Sequence, residues 1–202
     1  MHESTAVTPI SADGHSGHDG NDGAVRIRPL QWADFDDLVK NYYSFHDELE
    51  SYPDIGLTID EQKPSMEEEA IWFGALYADF LTKKAVVFVA ETVGRVVGIC
   101  EVRRGARRPV SHVGTLGIAV LKDYRRMGIG EKLMTHTISA ARELFEVIVL
   151  DVFSVNAGAS HLYSKLGFRS MGVLPMAVKR RGRYFDEERM YLLCRKTGHP
   201  DK

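Results

Sequence analysis

The stretch best equipped for chemistry is a short turn, Arg125-Arg126-Met127-Gly128-Ile129-Gly130, lying between an apolar alternating run that ends at Val120 and a helix-type run. The first N–H groups of a helix lack intrahelical partners and carry partial positive charge, so such a turn suits a bound phosphate. Gly128 and Gly130 have no β-carbon, which lets an anion approach the backbone closely. Arg125 and Arg126 add permanent charge and forked donors. A plainer reading also fits: the glycines permit a tight strand-to-helix turn and the arginines are solvated. The spacing excludes two better-known phosphate loops, since the chain has no Gly-x-x-x-x-Gly-Lys-Ser/Thr and no Gly-x-Gly-x-x-Gly after a strand.

The elements that must hold this turn follow from periodicity. Val25 and Ile27 alternate with Arg26 and Arg28, the pattern of a half-buried strand stopped by Pro29. From Gln31 to Tyr43, Trp32, Phe35, Leu38, Val39 and Tyr42 recur at helical spacing. A loop over Ser51–Lys63 follows. Ser65 and Glu68 then form a reciprocal cap for a second helix, with Ile71, Leu76 and Phe80 in its apolar stripe. Ala85–Glu91 and Val96–Val102, joined at Val93-Gly94-Arg95, read as a hairpin, and Ser111–Val120 as a longer strand. A helix over Gly130–Phe145 carries Leu133, Met134, Ile138, Ala141 and Phe145 on one stripe. Val147–Phe153 is apolar nearly throughout, as in a strand covered on both faces. A short helix holds Ala159, Leu162, Tyr163 and Leu166 on one side, with Gly167 as its stop. Two last strands, Phe168–Leu174 and Glu188–Cys194, are joined by a basic, glycine-containing loop. The order predicts an α/β (α+β) sandwich, a mixed sheet flanked by helices.

Composition narrows the function. With 202 residues, 44% hydrophobic and 27% charged, the chain suits one domain, expected over residues 24–196. A disordered N-terminal tail (1–23) and a short C-terminal tail (197–202) flank it; the N-terminal segment is too polar to offset its ordering entropy. The net charge of -2 argues against nucleic acid as a partner. No apolar stretch approaches the ~18–20 residues that span a bilayer, and no leader pattern opens the chain, so no membrane and a cytoplasmic location are expected. Cys100 and Cys194 sit in apolar runs as reduced core thiols. The tail histidines His2, His15 and His18 lack fixed geometry, and no metal is expected.

Arg125-x-x-Gly128-x-Gly130 resembles the Arg/Gln-x-x-Gly-x-Gly/Ala signature of the GNAT superfamily of N-acetyltransferases, and the likeness extends through "LGIAV" upstream and Glu131-Lys132-Leu133 downstream. Asn156, Ala159, Leu162, Tyr163, Lys165, Gly167 and Phe168 are similar to the same family's second cofactor segment. Together the likeness covers roughly Val25 to Leu193. It implies a mixed, mostly antiparallel sheet of about seven strands with helices on both faces, and acetyl-CoA as co-substrate. By resemblance, Ile118 and Val120 bond the pantetheine arm through their main chain. The N–H groups of Arg126, Met127, Gly128, Ile129, Gly130 and Glu131 hold the pyrophosphate, while Asn156, Ala159 and Lys165 complete the cofactor site. The implied reaction moves the acetyl group to a primary amine by direct attack through a tetrahedral intermediate. Tyr163 is the implied acid at the departing sulfur, and a main-chain N–H near Ile118 or Ala119 the oxyanion donor. Two plainer roles stay open: Tyr163 as packing, and Asn156 as a helix cap.

Many members place a glutamate on the strand before the phosphate turn, and here that strand has no carboxylate. His112 is the first candidate base by its titration range; Glu101, Asp151 and bulk water are alternatives. Acidic Asp47–Asp54 could attract a cationic amine or simply be solvated. Gly182, Tyr184, Asp186 and Met190 resemble the end of members that acylate small amino acids and related amines. Lys179, Arg180, Arg181 and Arg183 could hold an acceptor carboxylate, the 3'-phosphate of CoA, or nothing. The leading expectation is a small-molecule or amino-acid N-acetyltransferase, with a protein lysine or N-terminal acetyltransferase as the alternative. A non-catalytic CoA-binding module comes third, and a homodimer is left open.

Overall fold

The Ser65 hydroxyl accepts the N–H of Glu68, and the Glu68 carboxylate accepts that of Ser65, so the reciprocal cap opens its helix as the sequence suggests. The computed structural model describes residues 24–52, 56, 59, 61–105 and 107–194. Both tails therefore lie outside the described residues, as do the domain's C-terminal limit and the tail histidines.

The elements in chain order are β1 (Arg26–Pro29), α1 (Phe35–Ser51), α2 (Met66–Leu81), β2 (Ala85–Thr92), β3 (Arg95–Arg104), β4 (Val113–Val120), α3 (Ile129–Ala141), β5 (Val147–Phe153), α4 (Ala157–Lys165), β6 (Arg169–Arg180) and β7 (Arg183–Leu193). The strands form one seven-stranded sheet in the order β1-β2-β3-β4-β5-β7-β6. Every neighbouring pair is antiparallel except β4 and β5.

Period-two alternation sends side chains to two cores. On one face Leu38 of α1 and Phe73 and Leu76 of α2 cover Val87, Val89 and Val96. On the other, Leu133, Met134 and Ile138 of α3 cover Val97, Cys100, Val102 and Ile148. Residue 101 thus points to the α1/α2 side, between Cys100 and Val102. Both cysteines are free; Cys100 is fully buried and its thiol is pushed up to about 12 by burial, while Cys194 is only half-buried. No helix among the described residues is long and apolar enough to cross a membrane.

The structure departs most from the sequence expectation at three places. α1 runs on through "SFHDELES" to Ser51, because Phe45 and Leu49 continue its buried stripe. Ile71 is 73% exposed, and α2 buries Phe73 in its place. The supposed basic loop near the C-terminus is instead the continuation of β6 and β7, which meet at Arg181-Gly182. Both of those residues have positive φ (47° and 76°), the left-handed pair of a tight hairpin turn.

Arg28 joins β1 to the start of α1. Its guanidinium donates to both Asp34 oxygens at 2.7 and 2.8 Å, with Glu91 on its Nε. Asp34 also accepts the N–H of Gln31. Breaking a buried pair strands the surviving charge, so Asp34→Ala is expected to destabilise the fold by about 3 kcal/mol, read by urea unfolding. An unchanged midpoint would refute a structural role for the pair.

Candidate active site

β4 and β5 run side by side for only three residue pairs, from Val113 opposite Val147 to Thr115 opposite Val149. Beyond them β5 stays with β7, and β4 stays with β3 as far as Val120. From Leu116 to Val120, β4 therefore has no strand partner on its β5 side. A slot opens there, and two cavities meet in it.

The first cavity, about 610 Å³, lies over the phosphate turn. It is lined by Ile118, Ala119 and Val120 of β4; by Arg125, Arg126, Gly128, Gly130 and Glu131; and by Asn156, Gly158, Ala159, Leu162 and Tyr163. The main chain of the turn is held in an unusual shape: Arg126 (φ 63°) and Gly128 (φ 77°) are both left-handed. For arginine this costs about 1–3 kcal/mol, strain that tends to persist at functional sites. Gly128 caps α3, so the N–H groups of Ile129, Gly130 and Glu131 begin the helix without intrahelical partners and face an anion site. The two glycines serve different ends. Gly128 is required by its backbone angle; a β-carbon on Gly130 would meet only Leu162 and Ile118, at 3.6 and 3.8 Å, so its value is open space above the main chain.

The arginines also divide. Both line the cavity over the turn, but of the two only Arg125 is ion-paired among the described residues. Its fork is bidentate to Glu48 of α1 at 2.6 and 2.7 Å, and its Nε donates to the Val120 carbonyl at 2.9 Å. Arg125 braces the turn against α1 and the end of β4. Arg126, the turn's cation without an ion-pair partner among the described residues, lies over the start of α4, where a β-carbon on Gly158 would stand 3.4 Å from its Nη1.

Asn156 caps α4, its Oδ1 accepting the Ala159 N–H at 3.1 Å, while its Nδ2 donates to the Gly56 carbonyl at 3.4 Å. One turn further on, Tyr163 lines both cavities. Its ring is buried to 9% exposure beside Phe168, and its hydroxyl has no hydrogen-bond partner among the described residues. Burial, with the nearby Cys100 thiol adding to it, pushes the phenol up to about 12. The hydroxyl therefore stays protonated through the physiological range.

The second cavity, about 430 Å³, lies on the α1/α2 side and falls within the size of small-ligand sites, about 300–1,000 Å³. Leu38, Tyr42 and Phe45 of α1, Ile59, Trp72 of α2 and Ile99 of β3 give it apolar walls. Glu101 of β3, Asp151 of β5 and Glu187 of β7 give it carboxylates. Glu101 pairs in register with Gly117 of β4, whose missing side chain leaves the carboxylate open along the slot. Its Oε2 is buried with no hydrogen-bond partner among the described residues, and burial raises the carboxyl above the usual range despite Arg103 nearby.

Other expected site residues stand apart. His112 precedes β4, about 20 Å along the strand from Ile118, and lines neither cavity. Its carbonyl instead accepts the N–H groups of Glu146 and Val147. Glu101, ranked behind it from the sequence, is the carboxylate that reaches the slot. Lys165 is ion-paired to Glu131 at 2.8 Å rather than lining the cavity. The Met127 side chain is exposed and that of Ile129 buried in the core, so either contributes only main chain. The basic hairpin also falls outside both linings: Arg180 stacks on Phe153, Arg183 on Phe185 and Lys179 on Tyr184. Asp47 and Glu48 belong to α1, not to a loop, and Asp54 lies outside the described residues. No group of three or more His, Cys, Asp or Glu among the described residues is placed to hold a metal ion.

A sheet that splays beside a left-handed, helix-opening turn, with a buried phenol at the junction, is an arrangement suited to acyl transfer. The GNAT acetyltransferase family model matches residues 36–168, and the chain belongs to that family. By that membership it is an acyltransferase of the acetyltransferase class. It is 36% identical over 121 residues to an N-alpha-acetyltransferase of Sulfurisphaera tokodaii, covering 55% of this chain and 69% of that one. It is 31% identical over 98 residues to the L-amino acid N-acyltransferase MnaT of Escherichia coli, covering 48% and 55%. The fold matches that of yncA from Salmonella typhimurium, solved with its cofactor acetyl-CoA, at a TM-score of 0.75 and 22% identity over 88% of this chain and 98% of that one.

Proposed function

We propose that the chain transfers the acetyl group of acetyl-CoA to a primary amine seated in the apolar, carboxylate-bearing cavity. The observation that carries this reading is the junction: both cavities are lined by Ile118, Ala119 and Tyr163, so donor and acceptor meet at one phenol. The residues fit the donor. Unpaired N–H groups at the start of α3 and the Arg126 guanidinium suit the pyrophosphate, and the unpartnered edge of β4 from Leu116 to Val120 suits the amide-bearing pantetheine arm.

Glu101, directly or through one water, takes a proton from the attacking amine; a raised pKa makes it a stronger base than an ordinary carboxylate. The amine nitrogen bonds to the thioester carbon, and a main-chain N–H at Ile118 or Ala119 meets the charge on oxygen. The carbon–sulfur bond then breaks, and Tyr163 gives its proton to the departing sulfur. The acceptor is a small molecule, an amino acid or a polypeptide amine. Residence in the cytoplasm belongs to the same reading. A homodimer would form at the β6 edge of the sheet, where Met171, Val173, Leu174 and Met176 are exposed.

Tyr163→Phe is expected to lower kcat about a hundredfold, with acetyl-CoA affinity by calorimetry nearly unchanged. The assay is thiol release from acetyl-CoA with amino acids, their amides, polyamines and short peptides. No release with any of them overturns the proposed function, and an undiminished rate removes Tyr163 as the acid.

A further inference from the structure

The acceptor cavity is one-signed. Its acidic side chains among the described residues are those of Glu101, Asp151 and Glu187, and no lysine, arginine or histidine joins them. Only Asp151 is neutralised by a direct partner, the bidentate Arg189 at 2.7 and 2.8 Å. Arg103, the cation nearest Glu101, is itself tied to Asp79 at 3.0 Å. Of the basic hairpin residues, Lys179, Arg180 and Arg183 stack on their own aromatic neighbours, and neither they nor Arg181 line the cavity.

From this arrangement, and resting on the acetyl-transfer reading above, we infer that the acceptor is an α-amine on a carbon bearing an apolar side chain and an uncharged carbonyl, an amide or peptide bond, and that free amino acids are excluded. The α-carboxylate of a free amino acid is two bonds from its nitrogen. Seating that nitrogen at Tyr163 and Glu101 would drag the carboxylate into a cavity with no free cation, among charges of its own sign. An unpaired buried charge is among the costliest things a site can hold. An amide in the same place brings no charge, and the ammonium form of the amine is drawn in by the same carboxylates. Leu38, Phe45, Ile59 and Trp72 receive the apolar side chain. Glu187 faces the cavity from β7, and burial together with the neighbouring Asp151 pushes its carboxyl up, as expected where negative charge is crowded. It is the residue that sets specificity against carboxylates.

The test compares leucine, leucinamide and a hexapeptide with N-terminal leucine, by thiol release from acetyl-CoA with the full chain. Leucinamide is expected to exceed leucine in kcat/KM by at least about a hundredfold. The peptide separates the two sources of this chemistry: a rate above leucinamide assigns a polypeptide terminus, and a rate far below it a small capped amine. Glu187→Arg should shrink the leucinamide-to-leucine ratio at least about tenfold by giving the carboxylate a partner. Equal rates for leucine and leucinamide in the unaltered chain overturn the inference while leaving acetyl transfer standing. No release with any of the three overturns the inference, and release with another amine then preserves the broader reading.

Discussion

Glu101→Gln is expected to lower kcat by about a thousandfold with saturating leucinamide, within the usual range for a lost general base. Acetyl-CoA affinity should be unchanged, because Glu101 lines the acceptor cavity and not the cavity over the phosphate turn. The pH dependence carries the sharper signature. Glu101 acts only when ionised, and burial raises its carboxyl above the usual range, so the rate of the unaltered enzyme should climb as pH passes upward through that raised value. A second rise comes from the α-amine, near pH 8. The variant should keep the second and lose the first. Stability moves the other way: a raised folded-state pKa favours the protonated form, so stability is greatest at low pH and falls as the carboxyl ionises. Gln, neutral throughout, should make the protein at least as stable above neutrality. Loss of rate with the lower limb retained would exclude Glu101 as the base.

Gly130→Glu should abolish acetyl-CoA binding while sparing the fold. A β-carbon at Gly130 meets nothing nearer than 3.6 Å, so the chain accommodates the side chain, whose carboxylate then stands where the pyrophosphate belongs. Two unit charges about 4 Å apart near a protein surface repel by roughly 4 kcal/mol, on the order of a thousandfold in affinity. Gly130→Ala serves as the control and should bind within a few-fold of the original. Calorimetry decides, and an unchanged dissociation constant for the glutamate variant would sink the phosphate assignment.

The features that were legible in the sequence are those fixed locally. The turn at Arg125–Gly130 announces itself because a helix start needs its glycines and cap within a few residues, and the nearly continuous apolar run of β5 reads as a covered strand. Asn156 and Ser65 cap their helices for the same local reason. What escaped the sequence depends on distant partners. Nothing around Arg125 shows that Glu48, 77 residues away, consumes its fork. Glu101 meets Gly117 only through the β3–β4 register, a pairing between strands that no local pattern around either residue announces. Charge misled twice. The acidic "HDELE" hid the buried Phe45 and Leu49 that prolong α1, and the arginines of the last hairpin made a strand look like a loop.

The parting of β4 from β5 has a thermodynamic face as well. A sheet normally closes its backbone ladder within the chain, but here five residues of one strand edge have no strand partner on that side, the edge the proposed donor would complete. Only the folded chain offers that edge, so every donor molecule bound there counts toward holding the fold. At a concentration a hundred times the dissociation constant, this linkage adds about 2.7 kcal/mol, a large share of the roughly 5–15 kcal/mol that keeps a domain folded. The lifetime of the enzyme in a cell is thereby tied to the supply of its own donor: where acetyl-CoA is scarce, the protein loses not only its reactant but part of its durability.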